Sequence, residues 1–341
     1  MLLRMRAGLV LLAAAGVALG QQAEKHVVVV AGDGSGAFTT VQAALDSAGE
    51  GGLILRLKPG TYREKLTVRG NGIEMRGMGK TPGEVKLSWN DSAKSAGGTS
   101  KSASVTVTGD NFVAENLTIE NTFELEKGRT EQGSQAVALL VSGDREVFRN
   151  VRLLGYQDTL YANSKTCHAK EEVEAGKPCQ ASRQYFEHCY IEGHVDFIFG
   201  DAAAWFEDCE LHAMAHQVVM LTAQSRLFAG EQSGYVFDRC RVTADKDVGS
   251  IFFGRPWRGY STVTFLNTDV QTTHLNPAGW SEWDGRLATS SYSEFGTHGV
   301  GAGKVQGRVA GSKQLSAEEA GKLSVKAFLG GNDGWNPAGV R

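Results

Sequence analysis

Two aspartates hold the same phase of a repeated pattern. Asp158 lies ten residues after Phe148, and Asp196 lies ten residues after Phe186. The two acids are 38 positions apart, and a polar stretch from Asn163 to Ser182 accounts for about twenty of them. What remains is one turn of a strand-built coil, and successive turns of such a coil stack at about 4.8 Å. Two carboxyl groups then stand side by side. Like charges that close cannot both ionise cheaply, so one holds a proton near neutral pH. The pair supplies one acid and one nucleophile or base. The plainer alternative is a pair of solvated turn residues. Three sets of neighbours favour chemistry. The amide of Gln157, beside Asp158, can donate to an oxyanion. Phe197 and Phe199 flank Asp196 and can keep water away. Arg255-Pro256-Trp257 adds a fixed cation and an aromatic platform.

The elements that must position these groups are visible as a repeat. Six segments share one frame: Ala114–Ile119, Phe148–Leu153, Phe186–Ile191, Phe206–Leu211, Phe237–Val242 and Phe265–Val270. Five begin with Phe, and the first, fourth and sixth positions are mostly apolar. Their starts are 34, 38, 20, 31 and 28 residues apart, which implies one structural unit with loops of variable length. The segments are short, β-branched and aromatic. Helical periodicity is confined to Thr40–Ala48 and Ser316–Leu329. An all-β fold follows, a right-handed parallel β-helix (a solenoid) with a short N-terminal capping helix and a C-terminal helical segment. A β-propeller needs about 40 to 50 residues and four strands per blade, which these spacings do not provide. The aligned Cys189, Cys209 and Cys240 are expected in an interior stack, as small hydrophobes.

Composition narrows the function classes. The 341 residues carry 35 Lys and Arg against 38 Asp and Glu, a net charge of −3, so nucleic acid is a poor partner. Glycine, at 43 residues, is well above its average usage of about 7%, and suits many tight turns between short strands. Arg4 and Arg6, the apolar run Ala7–Leu19 and the small-residue site at Ala18-Leu19-Gly20 read as a secretory signal peptide, residues 1–20. The run is too short to span a bilayer of about 30 Å comfortably. The expectation is an exported chain, extracellular or periplasmic, with one β-helical domain over residues 21–341 and no membrane association after cleavage. Cys167 and Cys179 are expected to close the 163–182 insertion with a disulfide. No His, Cys or Asp cluster has metal-ligand spacing, so neither metal nor other cofactor is expected. His194 and His216 could lie near a cleft, but packed or solvated roles suit them better. Nothing signals an oligomer, and a monomer is expected.

The residues around the two acids also carry a family resemblance. Gly155-Tyr156-Gln157-Asp158-Thr159-Leu160-Tyr161 and Gly193-His194-Val195-Asp196-Phe197-Ile198-Phe199-Gly200 resemble signatures of the pectin methylesterases. Gln135–Leu139 and Gly254–Trp257 are similar to two further motifs, in the family order. Gly60–Glu64 and Pro277–Trp283 match an early and a late element. The resemblance runs from about Val27 to Pro337 and implies the same β-helical fold. It implies that Asp196 is a nucleophile oriented by Arg255, and that Asp158 is general acid and then general base. It implies that Gln157 and Gln135 stabilise a tetrahedral oxyanion, that Trp257, Tyr161 and Phe199 line a sugar cleft, and that Thr99 binds substrate. The implied substrate is methyl-esterified homogalacturonan. The 163–182 insertion departs from the family pattern, as does Gly311, where a Trp is common.

Other classes stay open on the residues alone. Carboxyl groups about 5 Å apart also serve retaining glycosidases. A β-helical pectate lyase, a relative acting on acyl thioesters and a non-catalytic β-helix are the remaining alternatives. A Gln–Asp pair with a separate Gln and Arg suits an acyl oxyanion better than an oxocarbenium ion.

Overall fold

The computed structural model describes residues 25–49, 51–128, 132–165, 182–303 and 305–339. The expected signal peptide and the expected Cys167–Cys179 bridge lie outside these residues.

Apolar residues at alternate positions of short strands need a common interior, and the chain provides it by coiling. The described residues form parallel sheets of eleven, eight and six strands, with a two-stranded ladder of Val218–Met220 and Ser250–Phe252. Each coil contributes a strand to successive sheets. One coil runs through Glu146–Arg149, Arg152–Leu154 and Leu160–Ala162, and the next through Arg183–Glu187, Tyr190–Gly193 and Ile198–Gly200. The result is a right-handed parallel β-helix. No helix among the described residues is long and apolar enough to cross a membrane.

The six sequence frames lie in register. Ala114, Phe148, Phe186, Phe206, Phe237 and Phe265 form one column of Cα partners. The phenylalanine rings stack along it at centroid distances of 4.6, 4.7, 4.4 and 4.6 Å, close to the coil spacing. All are fully buried. The cysteines occupy the fourth position of three frames as free, buried thiols, and the Cys189 N–H meets Cys209 Sγ at 3.4 Å. The third position of every frame turns the corner between two sheets. Asn116, Asn150, His188, Asp208, Arg239 and Asn267 all have φ between 49° and 55°. Asn and Asp adopt this left-handed conformation most readily among non-glycine residues.

One helix covers the N-terminal end of the coil, and two more lie along the outer face of the eleven-stranded sheet. The helix Val41–Asp46 packs Val41, Ala44 and Leu45 over the N-terminal coil. Its N-terminus is capped from a distance: the Glu64 carboxylate accepts the N–H groups of Val41 and Gln42 at 2.8 and 3.0 Å. Near the C-terminus, the expected segment 316–329 is two helices, Ala317–Gly321 and Val325–Leu329. The break falls at Ser324, whose hydroxyl accepts the Ala327 N–H and starts the second helix afresh. Ala320, Val325 and Leu329 pack against Val147, Tyr185, Trp205 and Val236 of the eleven-stranded sheet.

Candidate active site

Asp158 and Asp196 lie two residues before the third strand of two adjacent coils. The register Leu160 to Ile198 and Tyr161 to Phe199 places them at equivalent positions, and the Asp158 N–H donates to the Val195 carbonyl at 3.1 Å. Both have positive φ, 67° and 53°. Such a conformation costs about 1–3 kcal/mol per residue and persists where the surroundings enforce it. The glycines nearby allow the coils to approach. A Cβ on Gly193 would stand 2.4 Å from Phe197 Cβ and 2.5 Å from the Tyr156 carbonyl oxygen.

Both acids are buried, with 8% of Asp158 and 7% of Asp196 exposed. Their surroundings differ in one respect. Arg255 clamps Asp196, with Nε to Oδ1 at 2.8 Å and Nη2 to Oδ2 at 2.7 Å. The guanidinium rests on the Trp283 ring, 4.1 Å from its centroid. Among the described residues, no such fork reaches Asp158. Burial pushes Asp158 well above the usual carboxylate range, the Asp196 charge adds to this, and Arg255 opposes it. Burial raises Asp196 too, but the bonds and charge of Arg255 act against the shift. One proton shared between them belongs on Asp158, and the charge belongs on Asp196.

A cleft of about 530 Å³ opens over the pair. Gln135 and Gln157 enter it from neighbouring coils, joined through the Ala136 N–H and the Gln157 carbonyl at 3.1 Å. Tyr161 and Phe199 stack at 4.2 Å to form an aromatic wall, and Trp257 meets both edge-on. Burial raises the Tyr161 hydroxyl to about 12. Thr99 lines the same space from the short helix Thr99–Ser102. The nine candidate catalytic and substrate-binding residues therefore meet in one cleft, whereas Phe197, expected beside Asp196 as a water shield, is buried in the main core and lines no part of it. The cleft also contains Ser100, Ala223 and Trp283, which were not singled out. Trp283 had a signal, since it closes the Pro277–Trp283 run. His194 and His216 lie outside the cleft lining, and their rings pack 4.6 Å apart.

The chain matches the family model for pectinesterase over residues 27–332. It belongs to the pectinesterase family. It is 36% identical over 330 residues to the probable pectinesterase/pectinesterase inhibitor 17 of Arabidopsis thaliana, covering 93% of this chain and 59% of that protein. It is 37% identical over 324 residues to pectinesterase 3 of Citrus sinensis, covering 89% of this chain and 51% of that one. It thus spans between half and three-fifths of these relatives' length. Among solved structures, the pectin methylesterase from carrot superposes with a TM-score of 0.79 at 32% identity, covering 91% of this chain and 95% of that one. Five of the six pectinesterase-like motifs converge on the cleft. The sixth, Gly60–Glu64, does not: its Glu64 caps the N-terminal helix, and its Tyr62 hydroxyl bonds the Val30 and Lys58 carbonyls.

Proposed function

We propose that this chain is a pectin methylesterase that hydrolyses C6 methyl esters of polygalacturonate to free carboxylate and methanol. The observation that carries the reading is the asymmetric acid pair: Asp196 forked by Arg255 beside a buried Asp158 that no such fork reaches among the described residues. Asp196 attacks the ester carbonyl carbon, and the carbonyl electrons move to oxygen. Gln157 and Gln135 donate to that oxyanion. As the intermediate collapses, the bond to the methoxy oxygen breaks, and Asp158 gives its proton to the departing methanol. The product is an anhydride between Asp196 and the sugar carboxyl. Asp158, now ionised, takes a proton from a water molecule. The water oxygen attacks the sugar acyl carbon and releases Asp196 as carboxylate. The proton taken from water leaves Asp158 neutral and Asp196 ionised, as at the start, and the carboxyl freed on the sugar ionises in solution. Trp257, Tyr161 and Phe199 offer apolar faces to the pyranose rings, and Thr99 a hydroxyl to their oxygens.

Further readings accompany this one. The basic and apolar start of the sequence supports export, with residues 1–20 as a cleaved leader and residues 21–341 as the working domain. The decisive assay incubates the protein with highly esterified pectin and measures methanol, reducing ends and unsaturated ends. Methanol alone supports the proposal; new chain ends without methanol would replace it with a glycosidase or lyase. Asp196→Ala is expected to abolish methanol release.

A further inference from the structure

His194 stands two residues before Asp196 and is 1% exposed. Its Nδ1 accepts the Val195 N–H at 2.8 Å. That nitrogen therefore carries a lone pair, and the ring proton sits on Nε2. Nε2 lies 3.2 and 3.3 Å from the two carboxylate oxygens of Glu124, on the helix Phe123–Lys127, and donates to them. The rings of Tyr156 and His216 flank the imidazole at 6.0 and 4.6 Å. The backbone here is equally tied: the His194 N–H donates to the Tyr156 carbonyl, and the His194 carbonyl accepts the Met220 N–H, both at 2.9 Å.

The consequence falls on Val195. Its N–H is held by His194, and its carbonyl holds the N–H of Asp158 at 3.1 Å. Asp196 follows directly, in the left-handed conformation. One residue's backbone thus fixes the start of both acidic positions. We infer that Glu124 and His194 form a positioning pair: Glu124 sets the imidazole tautomer, and Nδ1 sets the Val195 backbone from which Asp158 and Asp196 are aimed. The inference rests on the esterase reading, because it assigns the pair a part in that reaction. Neither side chain lines the cleft, so the pair acts on the reacting groups and not on substrate. A displacement of about 1 Å at a reacting group can cost as much as 10²-fold in rate.

Four variants of the full chain test this by methanol release from esterified pectin, with thermal melting as the control for folding. His194→Asn places Oδ1 near the site of Nδ1 and keeps the acceptor; its kcat should stay within about threefold of wild type. His194→Leu fills similar space without an acceptor; its kcat should fall about tenfold or more with KM within about twofold. Glu124→Gln keeps an oxygen acceptor for Nε2–H and should retain kcat, whereas Glu124→Ala should lose part of it. If the leucine variant does not fold, the two Glu124 variants decide. Wild-type kcat in folded His194→Leu, equal losses in the Asn and Leu variants, or a loss confined to KM would overturn the inference. So would equal kcat in the two Glu124 variants. Absence of methanol from the wild type would overturn the esterase reading and the pair's role with it. Wild-type turnover with unaffected variants overturns the pair alone.

Discussion

Removing the Arg255 side chain tests the asymmetry on which the proposed reaction depends. Arg255→Ala deletes two charge-assisted hydrogen bonds, at 2.8 and 2.7 Å, from a carboxylate that is 7% exposed. Truncating one partner of a buried ion pair costs about 3–5 kcal/mol, because the remaining charge is left uncompensated. Asp196 escapes that cost by taking up a proton, and a protonated carboxyl is no nucleophile. At about 1.4 kcal/mol per tenfold, kcat should fall about 10²- to 10⁴-fold near neutral pH. The pH profile gives the sign. Arg255 favours the ionised form, so its loss favours the protonated form, and the acid limb of kcat moves to higher pH. The variant should therefore recover part of its rate as the medium becomes alkaline. Arg255→Lys keeps a point charge but not the planar fork and should fall between the two. Methanol release followed from mildly acidic to mildly alkaline pH measures all three proteins. An alanine variant with wild-type kcat and an unmoved acid limb would refute the reasoning.

Three further outcomes follow from the same geometry. Asp158→Asn keeps the shape of the neutral acid but has no proton to give; methanol release should fall about 10²- to 10⁴-fold with little change in KM. Gln157→Ala removes one donor aimed at the oxyanion and should cost about 10²–10³ in kcat in the same assay. Phe206→Ala empties a place between Phe186 at 4.7 Å and Phe237 at 4.4 Å, and urea unfolding should show a loss of about 3–5 kcal/mol.

Much of this architecture was legible in the residues, and what was not has identifiable causes. The phenylalanine frames were readable because a column of large inward side chains must recur once per coil. That recurrence also fixed the common phase of Asp158 and Asp196. The column extends to Met75 and Leu55, but these coils lack the aromatic mark and escaped the frame. The left-handed corners were hidden because three Asn, one His, one Asp and one Arg share a backbone angle and not a side-chain type. The Glu64 cap joins groups 22 and 23 residues apart, which no local pattern reveals. Trp283 enters the cleft from a loop outside the repeat, so phase could not place it, although its motif was in view. The turn at Ser324 divided what periodicity joined as a single helical segment, because its cap outweighs the apolar spacing around it.

A repeat places equivalent residues in equivalent surroundings, and two equivalent aspartates would make poor partners for acid and nucleophile. The difference is supplied along the coil axis. Arg255 is set by the bond from its N–H to the Thr222 carbonyl, on the far side of the Thr222–Gln224 strand from Asp196. Gly254 permits that approach, since a Cβ there would stand 2.0 Å from Thr222 Oγ1. The guanidinium must reach back across the intervening coil to find a carboxylate. Its side chain crosses that coil to meet Asp196, and Asp158 lies one coil, about 4.8 Å, further. The cation therefore bonds the nearer acid in full, while the farther one receives only its attenuated field, against the nearer charge of Asp196. A periodic scaffold thus yields an unequal acid pair because one arginine has a finite length and enters from one end of the row.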